Sequence, residues 1–341
     1  MILPPLKISN SVQSEKPIIQ GGMAIRLSTA KLAAAVANCG GIGVIAASGL
    51  PEQELRDQIR LAKELRHNPK GLIAVNIMFA ATEFTELVRI SIEEKIDFII
   101  FGAGFSRDIF SIGREANIPI VPIVSSPKLA IMSKRLGASC VIVESGEAGG
   151  HLGTCDPTRK LIPEVKKALD ETPNYKGIDN VSIVAAGGIT SGSDIIDIME
   201  MGANGVQMGT RFVLSNECEA HDNFKQLYLN SKEEDIVLIK SPVGLPARAL
   251  KTTFLNDAIE KSSRKPKTCN LCLKHCSHDF CIISALESAR KGDLDNGLVF
   301  TGASLKRFND IISVKEIFER LENQAIEYVE KKSKTVQPTN I

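Results

Sequence analysis

The residues with the clearest chemical potential are Glu147-Ala148-Gly149-Gly150-His151-Leu152-Gly153. Glycine fills four of the eight positions from 146 to 153, so the backbone can turn sharply and approach a ligand closely. His151 is the one imidazole among these small residues. It titrates near neutral pH, which suits an acid, a base or an anion anchor. Two further turns, Ala186-Gly187-Gly188-Ile189 and Gln207-Met208-Gly209-Thr210-Arg211-Phe212, present backbone N–H groups with little side chain in the way. Such donors at the start of a helix can cradle a phosphate. Ser191 and Ser193 suit the cap of the helix after Gly188. Taken singly, either turn reads equally as a plain strand-to-helix connection.

A second chemical cluster lies far along the chain. Cys269-x2-Cys272-x3-Cys276-x4-Cys281 gathers half of the eight cysteines, with His275 and His278 among them. In a reduced protein this spacing suggests zinc or an iron–sulfur cluster. Thiols packed as small hydrophobes, or disulfides, are the alternatives. Cys39 and Cys140 read as core filler, and Cys155, just beyond His151, as partly exposed. His67 and His221 read as surface residues on helices.

Strands must position these loops. Apolar runs rich in Val, Ile and Ala occur at residues 17–20, 42–46, 72–77, 97–101, 118–124, 140–144, 181–186 and 205–208. Amphipathic helical segments, among them 29–38, 52–66 and 83–94, fall between them. Continuous rather than alternating apolar runs mark parallel strands buried on both faces. Pro119 and Pro122 weaken the fifth run, since proline sits badly in a central strand. Eight strand–helix units in roughly 230 residues fit an α/β fold of the (β/α)8 TIM barrel type better than an open doubly wound sheet. The glycine loops then lie at the C-terminal ends of strands six, seven and eight, where such folds place ligands.

The chain changes character after residue 240. Ser241-Pro242 and Gly244-Leu245-Pro246 read as loops, and a basic stretch at 261–267 leads into the cysteines. Helices resume at 282–290 and 314–331, and residues 333–341 read as frayed. The expected organisation is a barrel over 1–240, a helical C-terminal appendage carrying the cysteines over 241–335 and packed on the barrel mouth, and a tail at 336–341.

Composition narrows the function. The 341 residues carry 41 basic and 40 acidic side chains, a net charge of +1. That balance gives no support for a nucleic-acid or anionic-membrane surface. The N-terminus lacks the apolar core of a signal peptide, and no uncharged run reaches membrane-spanning length. A soluble cytoplasmic protein is expected, acting on a small molecule, with pairing into a homodimer left open.

The motifs Gln20 to Ala24, Val75 to Met78, Gly102 to Gly104, Glu147 to Gly153, Ala185 to Ile189 and Gln207 to Phe212 occur in order. In this the chain resembles the nitronate monooxygenase (2-nitropropane dioxygenase) family, which includes the flavin-dependent enoyl-ACP reductase II, over about residues 3–325. The resemblance implies a barrel binding FMN non-covalently. Gly22 and Met23 would lie against the ring system, Asn76 would hydrogen-bond it, and Gly149 and Gly150 would pass close by. Gly187, Gly188, Gly209 and Thr210 would hold the phosphate, with Gln207 and Met208 beside them. His151 matches the family's active-site histidine.

Two activities follow from the resemblance: oxidation of alkyl nitronates with O2, or NAD(P)H-dependent reduction of enoyl-ACP thioesters. Residues 292–302 resemble the reductase branch. Phe105-Ser106, where that branch resembles Asn-Pro, and the cysteine cluster, which it lacks, speak against it. The cluster is similar, more loosely, to the cysteine run of the old-yellow-type dienoyl reductases. A flavin-binding redox sensor is a third reading, which the intact His151 loop disfavours.

Overall fold

The computed structural model describes residues 2–175, 178–260, 265–266 and 268–336. Eight strands, β1 (Ile18–Gln20), β2 (Ile42–Ala46), β3 (Leu72–Met78), β4 (Phe98–Gly102), β5 (Ile120–Val124), β6 (Cys140–Glu144), β7 (Ser182–Ala186) and β8 (Gly205–Met208), close into a parallel barrel. Each pairs with the next in sequence, and β8 closes on β1. The fold is the (β/α)8 TIM barrel. Pro122 is accommodated inside β5 because its ladder to β6 begins only at Ile123.

Side chains of a strand alternate in direction. One set, including Ile19, Ile42, Val44, Phe98, Ile142 and Val184, fills the barrel interior. Leu6 and Ile8, from the N-terminal hairpin Leu6–Lys7/Gln13–Ser14, join that cluster. The opposite set packs outward against the helices. Gly43 shows how tightly: a Cβ there would stand 1.9 Å from the Ala33 carbonyl oxygen, so only glycine lets α1 (Ala30–Asn38) lie against the barrel.

The outer ring continues with α2 (Glu52–Leu65), α3 (Phe84–Glu93), α4 (Ile109–Glu115), α5 (Pro127–Leu136), α6 (Thr158–Asp170) and α7 (Gly192–Glu200). After β8 the chain forms α8 (Thr210–Val213) and α9 (Asp222–Asn230), then a hairpin of β9 (Ile236–Lys240) and β10 (Pro246–Leu250). Then come α10 (Thr253–Glu260), α11 (Ile282–Arg290) and α12 (Val314–Val336).

Three expectations change. The segment after residue 240 is not purely helical: its loop-like residues 241–245 are the turn of the β9–β10 hairpin, with Gly244 at φ 87°. The last helix does not fray at 333 but runs to Val336; residues 337–341 lie outside the described residues, as do 261–264 and 267 of the basic stretch. Nor does α12 sit on the barrel mouth. It packs between α7 and α1 and so fills the eighth place of the helical ring. Gln324 Oε1 accepts the Gly192 N–H at 2.9 Å, and Tyr328 donates to Asp197 at 2.7 Å. Among the described residues no helix is long and apolar enough to cross a membrane.

Candidate active site

The apolar interior ends, at the C-terminal end of the barrel, in a polar layer. Asn76, Glu144 and Gln207 follow the inward residues Ala74, Ile142 and Gly205 by two positions, and all three line one cavity of about 560 Å³. Every residue expected at a flavin meets this cavity. Gly22 and Met23 come from the loop after β1. Asn76 comes from β3, and Gly149, Gly150 and His151 from the loop after β6. Gly187 and Gly188 follow β7, and Gln207, Met208, Gly209 and Thr210 close the ring at β8. The four clustered cysteines do not line it.

The His151 loop is fixed from several sides. Gly150–His151 forms a short strand antiparallel to β10, with Ala247 opposite His151. Arg248 donates to the carbonyls of Gly146 and Ala148 at 2.5 and 2.6 Å. Glu147 accepts the Thr158 N–H at 2.8 Å. A Cβ on Gly149 would stand 2.6 Å from the Thr301 carbonyl carbon, so the C-terminal segment presses directly on this loop. That segment is tied back by Ala303 N–H to the Glu147 carbonyl (3.0 Å) and by Gly302 N–H to Thr210 Oγ1 (3.0 Å).

His151 Nε2 lies 2.8 Å from Ser241 Oγ, and its ring meets Phe300 edge-on with centroids 5.3 Å apart. Ser241 is fully buried, and its Oγ accepts the Val243 N–H at 3.3 Å. The direction of the Nε2–Oγ bond follows the imidazole tautomer: Oγ has a second lone pair, and an Nε2–H donated to it leaves Nδ1 with a free lone pair. Burial pushes the imidazole pKa down to about 4, so the ring is neutral at physiological pH. Burial pushes the Glu144 carboxyl the other way, up to about 8. The cavity thus holds an uncharged base and a largely protonated acid, an arrangement suited to moving protons rather than fixing a net charge.

The β7 turn has spare donors. Asp194, not a ligand, takes the N–H groups of Thr190 and Ser191 at the start of α7, at 2.9 and 3.1 Å, completing a capping box with Ser191. Ser193 bonds Ser191 instead of capping the helix. Among the described residues the N–H groups of Gly188, Ile189 and Thr210 have no backbone acceptor. Gln207 Oε1 is buried without a partner, and a Cβ on Gly209 would meet nothing closer than Met23 Sδ at 3.7 Å. Free donors, an orphaned amide oxygen and an open glycine cradle around one cavity are what a phosphate-bearing heterocycle requires.

A family model described as nitronate monooxygenase matches residues 7–84 and 72–324. The chain belongs to the nitronate monooxygenase family. It is therefore a flavin-dependent oxidoreductase, in a family of FMN enzymes that act on small molecules. Among solved structures, FabK from Thermotoga maritima is 32% identical with a TM-score of 0.81, covering 95% of this chain and 96% of that one. A probable nitronate monooxygenase of Staphylococcus aureus (strain MSSA476) is 29% identical over 284 residues, 74% of this chain and 79% of its own. A (3aS,4S,5R,7aS)-5-hydroxy-7a-methyl-1-oxo-octahydro-1H-indene-4-carboxyl-CoA dehydrogenase of Rhodococcus jostii (strain RHA1) is 28% identical over 308 residues, 89% of this chain and 79% of its own.

Sequence reasoning missed Glu144, Ser241, Arg248 and Phe300 in this site. Glu144 carried a usable signal, a carboxylate two positions beyond a buried strand residue. The other three are brought in by the hairpin and the strand-like approach of 298–302, which no local pattern announces. His67 is exposed, as expected, but lies in the loop after α2 rather than on a helix; His221 is exposed and caps α9 through Nδ1, accepting Asn223 N–H at 3.1 Å. Cys140 is buried, Cys39 half-buried and Cys155 exposed.

Proposed function

We propose that this chain is an FMN-dependent enzyme that oxidises alkyl nitronates with O2, giving a carbonyl compound and nitrite. The observation that carries the reading is the neutral, half-buried His151 on the cavity wall, held by Ser241 and Phe300. When bound, FMN supplies the two-electron redox chemistry.

The chain's own residues do the rest. The free N–H groups of Gly188, Ile189 and Thr210 would hold the phosphate, with Gly209 leaving it room and Gly187 and Met208 beside it. Gly22, Met23, Gly149 and Gly150 would bound the ring system, and the amides of Asn76 and Gln207 would serve its polar edge. His151, with one nitrogen bonded to Ser241, presents the other as the group that handles the substrate's acidic proton or its oxygen. Phe300 and Leu298 exclude water from that side of the cavity.

A second reading, NAD(P)H-dependent reduction of an enoyl thioester, is favoured by one observation. The likeness to FabK, an enoyl-ACP reductase II, spans nearly the whole chain, including the C-terminal segment that here supplies Phe300, Thr301 and Gly302 to the cavity. Anaerobic mixing separates the two. Bleaching of the flavin absorbance by an alkyl nitronate, and not by NADH or NADPH, is the expected result. Rapid bleaching by NAD(P)H with no response to nitronate would replace the first reading by the second.

A further inference from the structure

The cysteine segment is built onto the barrel rather than hung from it. Residues 268–281 have no helix or long strand, yet their backbone is tied to two other loops. Thr82 N–H donates to the Cys272 carbonyl at 3.1 Å, Lys274 N–H to the Ala80 carbonyl at 2.9 Å, and Ser277 N–H to the Pro242 carbonyl at 3.1 Å. Thr82 Oγ1 donates to the Leu271 carbonyl at 2.6 Å. Leu273 and Phe280 are buried at either side and anchor the ends.

Within this frame the chain twice makes the same unusual turn. Two residues after Cys269, Leu271 has φ 51°; two residues after Cys276, His278 has φ 59°. Neither is glycine, and L residues rarely adopt that conformation. In both cases the turn places the residue's N–H on the cysteine two positions back, at 3.4 Å from Sγ. A third cysteine, Cys281, receives the Ser284 hydroxyl at 3.1 Å. A thiol is a weak acceptor. Donors aimed at three sulfurs, two through left-handed backbone, gain their value when the sulfurs carry charge, as metal-bound thiolates do.

The four cysteines fall within thirteen residues of one loop. None of the four is in a disulfide. Among the described residues no group of three or more His, Cys, Asp and Glu side chains is already placed to hold a metal ion. A tetrahedral zinc needs its four sulfurs at about 2.3 Å from one point. A polynuclear cluster spreads the same four ligands over several iron atoms, further apart.

We propose that Cys269, Cys272, Cys276 and Cys281 ligate an iron–sulfur cluster. Its place in the fold is specific. Cys272 and Cys276 pack in one apolar cluster with Met78, Ile282, Ile283, Leu298 and Phe300, and those five side chains also line the active-site cavity. The cysteines therefore belong to the apolar cluster that backs this part of the cavity wall. The inference stands on the cysteine segment alone and does not depend on the nitronate reading.

The test is iron and acid-labile sulfide analysis of the full chain purified anaerobically with its FMN. The expected result is iron and sulfide in equal amounts, about two or four of each per chain. Cys276→Ser and Cys281→Ser should each lower bound iron at least roughly tenfold while FMN content stays unchanged, and Cys155→Ser should change neither. One zinc per chain without sulfide would overturn the proposal. So would the absence of iron after anaerobic reconstitution with ferrous iron and sulfide of protein that keeps its flavin, or full iron retention in the two serine variants. Because flavin content is read on the same sample, failure of the cluster is distinguishable from failure of the FMN site.

Discussion

Replacing His151 by alanine leaves FMN bound and lowers kcat by roughly 10²- to 10⁴-fold, the range a positioned acid–base group contributes. The ring's removal does not disturb the phosphate turns, which belong to β7 and β8. It takes away the one imidazole on the cavity wall and leaves Ser241 Oγ bonded only through Val243. Flavin content should match that of the unaltered protein, since the backbone ties of the loop, to Arg248 and Ala303, do not pass through the imidazole. Steady-state kinetics with the flavin-loaded variant check the loss. The pH profile gives a second readout. Burial holds the imidazole at about 4, so the ring stays neutral, and competent as a base, throughout the range above that value. On lowering pH, kcat/KM should therefore persist through 6.5, the ordinary histidine value, and fall only nearer 4. A variant with undiminished turnover would remove His151 from the chemistry.

Gly187→Ala is expected to weaken FMN binding by about 30-fold or more, equivalent to roughly 2 kcal/mol. Gly187 has φ 108°, where an alanine is strained whatever the space. The space is also absent: a Cβ would lie 2.3 Å from Ser145 Oγ and 2.9 Å from the Ala148 amide nitrogen. Ser145 cannot yield easily, because its Oγ accepts the Thr158 hydroxyl at 2.7 Å and the Glu147 N–H at 3.2 Å. The added methyl must push the β7 turn away from the β6 loop. That movement displaces the free donors of Gly188 and Ile189. Fluorescence titration with FMN measures the loss. Ser145→Gly in the same chain relieves the contact but not the φ strain, so the double variant should recover only part of the affinity. Full affinity in Gly187→Ala alone would show that this turn does not hold the cofactor.

Much of this site was legible because a parallel barrel encodes its strands locally. The runs at 42–46, 140–144 and 205–208 are buried on both faces, and their apolar continuity gave their bounds residue for residue. The glycine turns that follow could be ordered around the barrel from strand count alone. What escaped was non-local. Ile236–Lys240 pairs with Pro246–Leu250, which in turn pairs with Gly150–His151 roughly a hundred residues away in sequence, and nothing in the run specifies that second partner. Ser241 reads as a loop serine until the hairpin brings it to His151. Likewise α12 carries an ordinary amphipathic pattern, and its place between α7 and α1 follows from the closure of the ring. Glu144 was missed for another reason: as the last residue of an apolar strand it reads as a solvent-facing end, whereas its register turns it into the cavity.

The cavity's claim to FMN is tested most directly by titrating the flavin-free protein with FMN and, separately, with riboflavin, which lacks the phosphate. Even two of the three charge-assisted hydrogen bonds from the turns after β7 and β8 are worth about 3 kcal/mol together, or on the order of 10²-fold. The account predicts one FMN per chain and riboflavin binding at least about a hundred times more weakly. Equal affinity for the two, or no binding of FMN, would contradict it.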